Sequence, residues 1–376
     1  MQRHDVIIVG GGPAGSSCAW RLRRAGFDVA VCDRAVFPRD KVCAGWITPQ
    51  VVDDLDLDLV DYGASRTLQP ITGFRVGVIG RRGSQFIAYG RIVSYGIRRC
   101  EFDDYLLRRS GATLELGAPV SSLRRETGRW IVSERLAAPV IVGAGGHWCP
   151  VAHMLHPEAD REAVVTAQET EFPIARGNGN GPRSAGETPE LYFNANLTGY
   201  GWVFRKQEHV NVGVGTLDHH LCRAATGTFV DDLRARGAVP AGTPDASRWR
   251  GHAYRLLKPR ARRASADGVL LAGDALGLAY PQSGEGIRPA IESGLMAAAS
   301  IIEARADYSA SSLAAYDRRL RERFGELQAP GHSVEKLIPE DALAWLGTRL
   351  LSLPWFVRHV VLDRWFLRAA DRALAS

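Results

Sequence analysis

Gly10-Gly11-Gly12-Pro13-Ala14-Gly15 reads G-x-G-x-x-G, a spacing suited to holding a pyrophosphate. The first glycine permits a tight turn, the second lets a phosphate approach the backbone, and the third lets a helix pack closely on a strand. The helix that follows turns unpaired amides and a partial positive charge toward the phosphates. Asp33, 23 residues after Gly10 and followed by Arg34, is placed to accept hydrogen bonds from ribose hydroxyls. A Gly-rich turn of structural use only is the alternative. The strand before the motif and the helix after it argue against that.

A second pair of motifs selects FAD over NAD. Gly273-Asp274 ends an apolar run more than 250 residues after the first fingerprint. A carboxylate there can hydrogen-bond the polyol linker of a flavin, and Gly273 avoids a side-chain clash. Tyr280-Pro281-Gln282-Ser283-Gly284-Glu285-Gly286-Ile287 is then a loop running into a helix. Its exposed amides are expected to face the edge of the flavin ring that becomes anionic on reduction.

These residues need particular elements beneath them. Asp5 to Gly10 is a continuous apolar run, as in a strand buried on both faces, and 13–25 carry helix formers. With the strand Asp28 to Asp33 they make a βαβ unit. Further buried strands are expected at Val140 to Gly143 and Val269 to Gly273, with a short helix at Phe102 to Ser110. Short alternating runs at 66–100 and 163–216 predict antiparallel strands, the second set interrupted by a flexible loop at Gly177 to Gly181. The fold class is therefore α/β. It combines an FAD-binding Rossmann-like domain of the glutathione-reductase type, an inserted antiparallel β-sheet substrate domain and C-terminal helices. The expected boundaries are 1–65, 97–160 and 250–305 for the cofactor domain, 66–96 and 161–249 for the substrate domain, and 306–376 for the helical region.

With these motifs in place, the chain resembles the geranylgeranyl reductase family, within the flavoprotein class that includes the aromatic hydroxylases. The likeness is carried by Phe37-Pro-Arg-Asp-Lys-Val-Cys43-Ala-Gly45, Arg98-Arg99-Cys-Glu-Phe102-Asp103, Gly199-Tyr-Gly-Trp202-Val-Phe and His209-Val-Asn-Val-Gly213, with Gly273-Asp274 and Ser283-Gly-Glu-Gly-Ile287. It implies that Arg98 contacts the FAD phosphates, that Arg39 and Lys41 lie on a loop near the flavin, and that Cys43 sits close to the ring. Ala44 stands where such reductases usually have a glycine, and Arg205 where a proline is usual. Gly143-Ala144-Gly145-Gly146 lacks the aspartate of the strand-end motif, and its Gly143 is expected to border the cofactor.

The function implied is transfer of hydride from reduced FAD to a hydrophobic substrate, prenyl-like or polyketide-like. Cys43 would protonate the substrate or touch the flavin, unless it is a small buried thiol. Its neighbours Arg39 and Lys41 would favour a thiolate. Tyr200 and Trp202 would wall an apolar cavity, unless they are ordinary strand packing. No second complete G-x-G-x-x-G follows a strand, so the electron donor is external: NAD(P)H, a reduced flavin or ferredoxin. A monooxygenase acting on an aromatic ring is the alternative on the same scaffold. A halogenase fits less well: its W-x-W-x-I-P signature aligns with Tyr200 to Arg205 at only one defining position, and its lysine falls near Arg75. In a non-catalytic FAD-binding protein the loop at 37–45 would be needless.

Composition excludes other classes. Lysine occupies only Lys41, Lys206, Lys258 and Lys336, and the many arginines are spread along the chain, so no nucleic-acid surface is marked. Six cysteines without C-x-x-C spacing read as free thiols of a reducing compartment. His147-Trp148-Cys149 does not converge on a metal, and His219-His220 reads as an exposed loop pair. The start runs directly into a strand and no apolar run could span a bilayer, so a cytoplasmic protein is expected. In the tail, Pro354 divides two helices rich in Trp, Leu and Arg. They are expected to pack over the substrate domain; peripheral contact with a membrane is the alternative.

Overall fold

Val6–Val9, Val29–Asp33, Val140–Gly143 and Val269–Leu271 are short apolar runs without polar alternation, and all four become strands with nearly every side chain out of water. Burial of each such Val, Ile or Leu contributes about 1.5–3 kcal/mol. The computed structural model describes residues 1–157, 164–174, 186–195, 198–217, 222–239, 242–257, 263–325 and 340–374. The expected loops at 177–181 and 219–220 lie outside them.

The chain divides into two compact units, each assembled from three separate stretches. The first comprises Met1–Asp40, Cys100–Ala163 and Tyr254–Gly331; the second comprises Lys41–Arg99, Val164–Ala253 and His332–Ser376. The boundaries expected from sequence differ from this division, since residues 41–65 and the tail group with the second unit.

In the first unit, the described residues form a six-stranded sheet ordered Ser265–Ala266, Val269–Leu271, Val140–Gly143, Val6–Val9, Val29–Asp33, Thr113–Leu116. All neighbours are parallel except the edge pair Ser265–Ala266 and Val269–Leu271. Helix Pro13–Arg24 packs on helix Ile287–Glu303 through small residues: a Cβ on Gly294 would overlap the Ala14 carbonyl, and Ser17 Oγ donates to Ile291 O at 3.3 Å. This close crossing brings the N-terminal ends of both helices to the carboxyl end of the sheet, where ligands of open α/β sheets bind.

The second unit contains a seven-stranded sheet ordered Arg250–Tyr254, Val165–Pro173, His209–Thr216, Gly199–Lys206, Glu190–Phe193, Gly73–Val78, Ser84–Ala88. One pairing corrects the expectation of an antiparallel sheet: Glu190–Phe193 runs parallel to Gly73–Val78. These strands belong to separate insertions, so no hairpin fixes their relative direction.

Strand alternation sorts the two faces of this sheet. Val203, Val210, Val212, Val214 and Phe172 pack with Phe229, Val230 and Leu233 of helix Cys222–Ala235. Tyr200, Trp202, Phe204, Asn211, Glu169 and Glu171 share the opposite face. The tail covers part of that face. After helix Glu340–Leu351, Pro354–Phe356 leads into a wide π-type helix over Val357–Phe366, whose Val357, Val361, Leu362 and Phe366 are buried. Phe366 meets Trp46, Phe193 and Tyr200 with ring centroids 5.2–6.2 Å apart.

Candidate functional site

The cradle in the first unit is built of backbone. Gly10 adopts φ +115° at the end of its strand, and a Cβ there would overlap the Ala144 carbonyl. A Cβ on Gly15 would overlap the Gly10 carbonyl, so this glycine sets how closely helix and strand approach. Gly12 is different. A Cβ there would meet only the tip of Arg39, at 3.4 Å, so protein packing gives no reason for glycine. The amides of Gly12, Ala14 and Gly15 find no acceptor among the described residues, and Pro13 has none to offer. Three converging donors at a helix N-terminus, beside a site where a Cβ would intrude, fit a pyrophosphate.

Side chains border the cradle. Arg39 lies over the Phe37 ring at 4.8 Å and pairs with the buried Asp103 at 3.2 Å, which fixes a cation beside Gly12. Asp33 accepts from the amides of Gly11 at 2.8 Å and Ala35 at 2.9 Å, leaving further lone pairs for hydroxyl donors. Arg34 is exposed. Gly143, predicted to touch the cofactor, has Leu271, Val151 and Cys149 around the place a side chain would take.

Next to the cradle in the same unit, a Cβ on Gly273 would meet Ala14 at 3.0 Å and Ala290 at 3.2 Å, and Asp274 follows it in a short 3₁₀ turn. Asp274 Oδ1 stands 3.3 Å from where a Cβ of Gly286 would be. In the loop before helix Ile287–Glu303, the Gly284 amide is taken by Tyr280 O and that of Glu285 by Ser283 Oγ. The amides of Gly286 and Ile287 have no acceptor among the described residues. Two donors are therefore open in this loop, with Pro281 exposed at its tip.

The remaining sequence-predicted residues fall in the second unit. Arg98, expected at the phosphates, is ion-paired to Glu171 at 2.8 Å. Lys41 pairs with His252. Trp202 lies across Gly213, where a Cβ would overlap its indole, and donates through Nε1 to Asn211 Oδ1 at 2.7 Å. Tyr200 is half-buried, 5.8 Å from Trp202 and 5.6 Å from Phe193 between ring centroids. Cys43 is half-buried; its sulfur accepts from the Gly45 amide at 3.4 Å, and its carbonyl accepts from Asn211 Nδ2 at 3.3 Å.

Sequence reasoning missed the polar residues beneath Cys43. Lys206 is 1% exposed and bonds Glu171 at 2.8 Å; its ammonium lies against Gly45. Burial pushes Glu171 up, but Lys206 and Arg98 outweigh it and hold the carboxyl at about 2. Burial also raises Glu169, and here Lys206, the Cys43 amide and Asn211 offset it only in part. One signal was available: Glu169, Glu171 and Asn211 interrupt strands whose alternate positions are apolar, and Lys206 is one of few lysines. Among the described residues no cluster could hold a metal, and none of the six cysteines is in a disulfide.

The signature of the DAO family, FAD dependent oxidoreductase, matches residues 5–93. A menaquinone reductase of Mycobacterium tuberculosis is 31% identical over 319 residues, covering 78% of this chain and 75% of that protein. Digeranylgeranylglycerophospholipid reductase 1 of Methanopyrus kandleri is 28% identical over 358 residues, covering 89% and 91%. Among solved structures, a geranylgeranyl bacteriochlorophyll reductase-like protein from Thermoplasma acidophilum superposes with a TM-score of 0.74 at 19% identity, over 100% of this chain and 98% of that one.

Proposed function

This chain belongs to the geranylgeranyl reductase family of FAD-dependent oxidoreductases, and from that premise we propose that it adds hydrogen across a double bond of a hydrophobic, isoprenoid-bearing substrate. When bound, FAD supplies the hydride. The chain supplies the rest. The amides of Gly12, Ala14 and Gly15 bind the pyrophosphate with Arg39 beside them, and Asp33 and Asp274 take ribose and polyol hydroxyls. The amides of Gly286 and Ile287 favour negative charge beside their helix N-terminus. Cys43 gives the substrate carbon its balancing proton, and Tyr200 and Trp202 border the apolar chain.

The observation that carries this reading is the aromatic face of the second unit's sheet, to which the Cys43 carbonyl is tied through Asn211. The relatives named for menaquinone and for digeranylgeranylglycerophospholipid act on molecules with isoprenoid chains, which supports the substrate class. The reductant is external: NAD(P)H, a reduced flavin or ferredoxin. No described helix is long and apolar enough to cross a membrane. Trp345, beside Arg349, and Trp355 are nevertheless 59% and 68% exposed, so the tail can rest on a membrane surface where such substrates dissolve.

The test is anaerobic. Reduced holoenzyme mixed with menaquinone or a geranylgeranyl compound is expected to recover oxidised-flavin absorbance while the product gains two hydrogens. Reoxidation that requires oxygen, with oxygen inserted in the product, would replace the reductase by the monooxygenase reading. Cys43→Ser is expected to keep FAD and lower turnover by about 10²-fold.

A further inference from the structure

Residue 43 is held by its carbonyl. That oxygen accepts from Asn211 Nδ2 at 3.3 Å, and Asn211 is oriented in turn by the Glu169 carboxyl group. Glu169 and Asn211 are themselves joined, Nδ2 donating to Oε2 at 3.2 Å. Asn211 has one oxygen left, and Trp202 Nε1 donates to it at 2.7 Å. One pair of side chains thus ties together two residues that the sequence nominated for chemistry, Cys43 and Trp202.

This arrangement is costly. Asn211 and Glu169 are 1% and 7% exposed, and Lys206, Glu171 and Arg98 add charge beside them. Buried polar groups destabilise unless every partner is in place. The opposite face of the same sheet is covered at lower cost by Val203, Val210, Val212 and Val214. Cohesion therefore gives no reason for a carboxylic acid and an amide at 169 and 211. Positioning does: hydrogen bonds are directional where apolar contacts are not, and a misplacement of about 1 Å near reacting atoms costs about 10²-fold in rate.

We propose that Glu169 and Asn211 are positioning residues that clamp the peptide of Cys43 against Trp202, fixing where the thiol meets the substrate. This rests on the reading above, in which Cys43 touches substrate. Neither residue touches substrate itself; both act through residue 43.

The experiment uses purified holoenzyme carrying Asn211→Leu, Glu169→Ala or Glu169→Gln. Two quantities are read beside flavin content: the rate at which iodoacetamide alkylates Cys43, followed on its peptide by mass, and the separate values of kcat and KM. Asn211→Leu and Glu169→Ala are expected to change the alkylation rate by about fivefold or more, the factor one hydrogen bond sets. They are expected to lower kcat by about tenfold to a hundredfold at unchanged flavin content and KM. Glu169→Gln, which keeps an acceptor for the Asn211 side-chain amide, is expected to recover most of both losses. Should Asn211→Leu fail to fold, Glu169→Ala carries the test alone, because it leaves the Trp202–Asn211 bond in place. Alkylation within about twofold of wild type in the folded variants would overturn the clamp, as would a kcat loss matched by flavin loss. Wild-type turnover in Cys43→Ser would remove the role of Cys43 while leaving the alkylation result to stand or fall separately.

Discussion

Around Gly12 the polar groups on offer are main-chain amides, and side chains stay back to the distance of Arg39. Around Cys43 they are side chains from three strands, packed so that little of Glu169, Lys206 or Asn211 reaches water. The first region is shaped by what is left off the backbone, the second by what is put on it. Added volume should therefore break the one, and deleted side chains the other.

The largest effect belongs to Gly12→Val. Its branched side chain fills the space a pyrophosphate requires while meeting little protein, so bound FAD is expected to fall by about 10²-fold or more at nearly unchanged apoprotein melting. Full flavin occupancy in this variant would remove the contrast. Next is Phe366→Ala. Phe366 is buried against Trp46, Phe193 and Tyr200, and its loss is expected to cost about 3–5 kcal/mol in urea unfolding, with flavin per folded chain preserved. A cost under about 1 kcal/mol would mean that the tail is not packed on the aromatic face. Asp274→Ala removes a carboxylate from the strand end where the flavin linker is proposed to lie, and a rise of about tenfold to a hundredfold in the FAD dissociation constant is expected by titration.

The smallest effect lies in acid. The carboxyl of Glu171 is held at about 2, below its ordinary 4.5, by Lys206 and Arg98 against the opposing effect of burial. A depressed carboxylate stabilises the fold fully above pH 4.5, and that contribution is lost as pH falls toward 2. Glu171→Gln is expected to be less stable at neutral pH and to lose less stability across that window. Parallel pH–stability curves for the two proteins would exclude the pairing with Lys206 and Arg98.

The same contrast explains what could be read from the sequence. The cradle is local: Gly10 to Gly15 and Asp33 lie within one βαβ unit, where spacing alone sets the geometry, and the buried strands followed from apolar runs. Gly143 is not decided by spacing alone, because a glycine at a strand end can serve a ligand or a neighbour, and Leu271 and Val151 enclose the place a side chain would take. The clamp on Cys43 was not legible, since Glu169, Asn211 and Trp202 meet only after three strands pair in register. The parallel placement of Glu190–Phe193 escaped for the same reason, because no short turn joins it to Gly73–Val78.

That FAD is held by open main-chain amides can be tested at those amides. Hydrogen–deuterium exchange, followed on peptides from flavin-stripped and reconstituted protein, reads their protection one segment at a time. FAD is expected to slow exchange most in the peptides that carry the amides of Gly12, Ala14 and Gly15 and those of Gly286 and Ile287, donors that lack acceptors among the described residues. Unchanged exchange in both segments at full flavin occupancy would contradict the cradle and place the cofactor elsewhere on the chain.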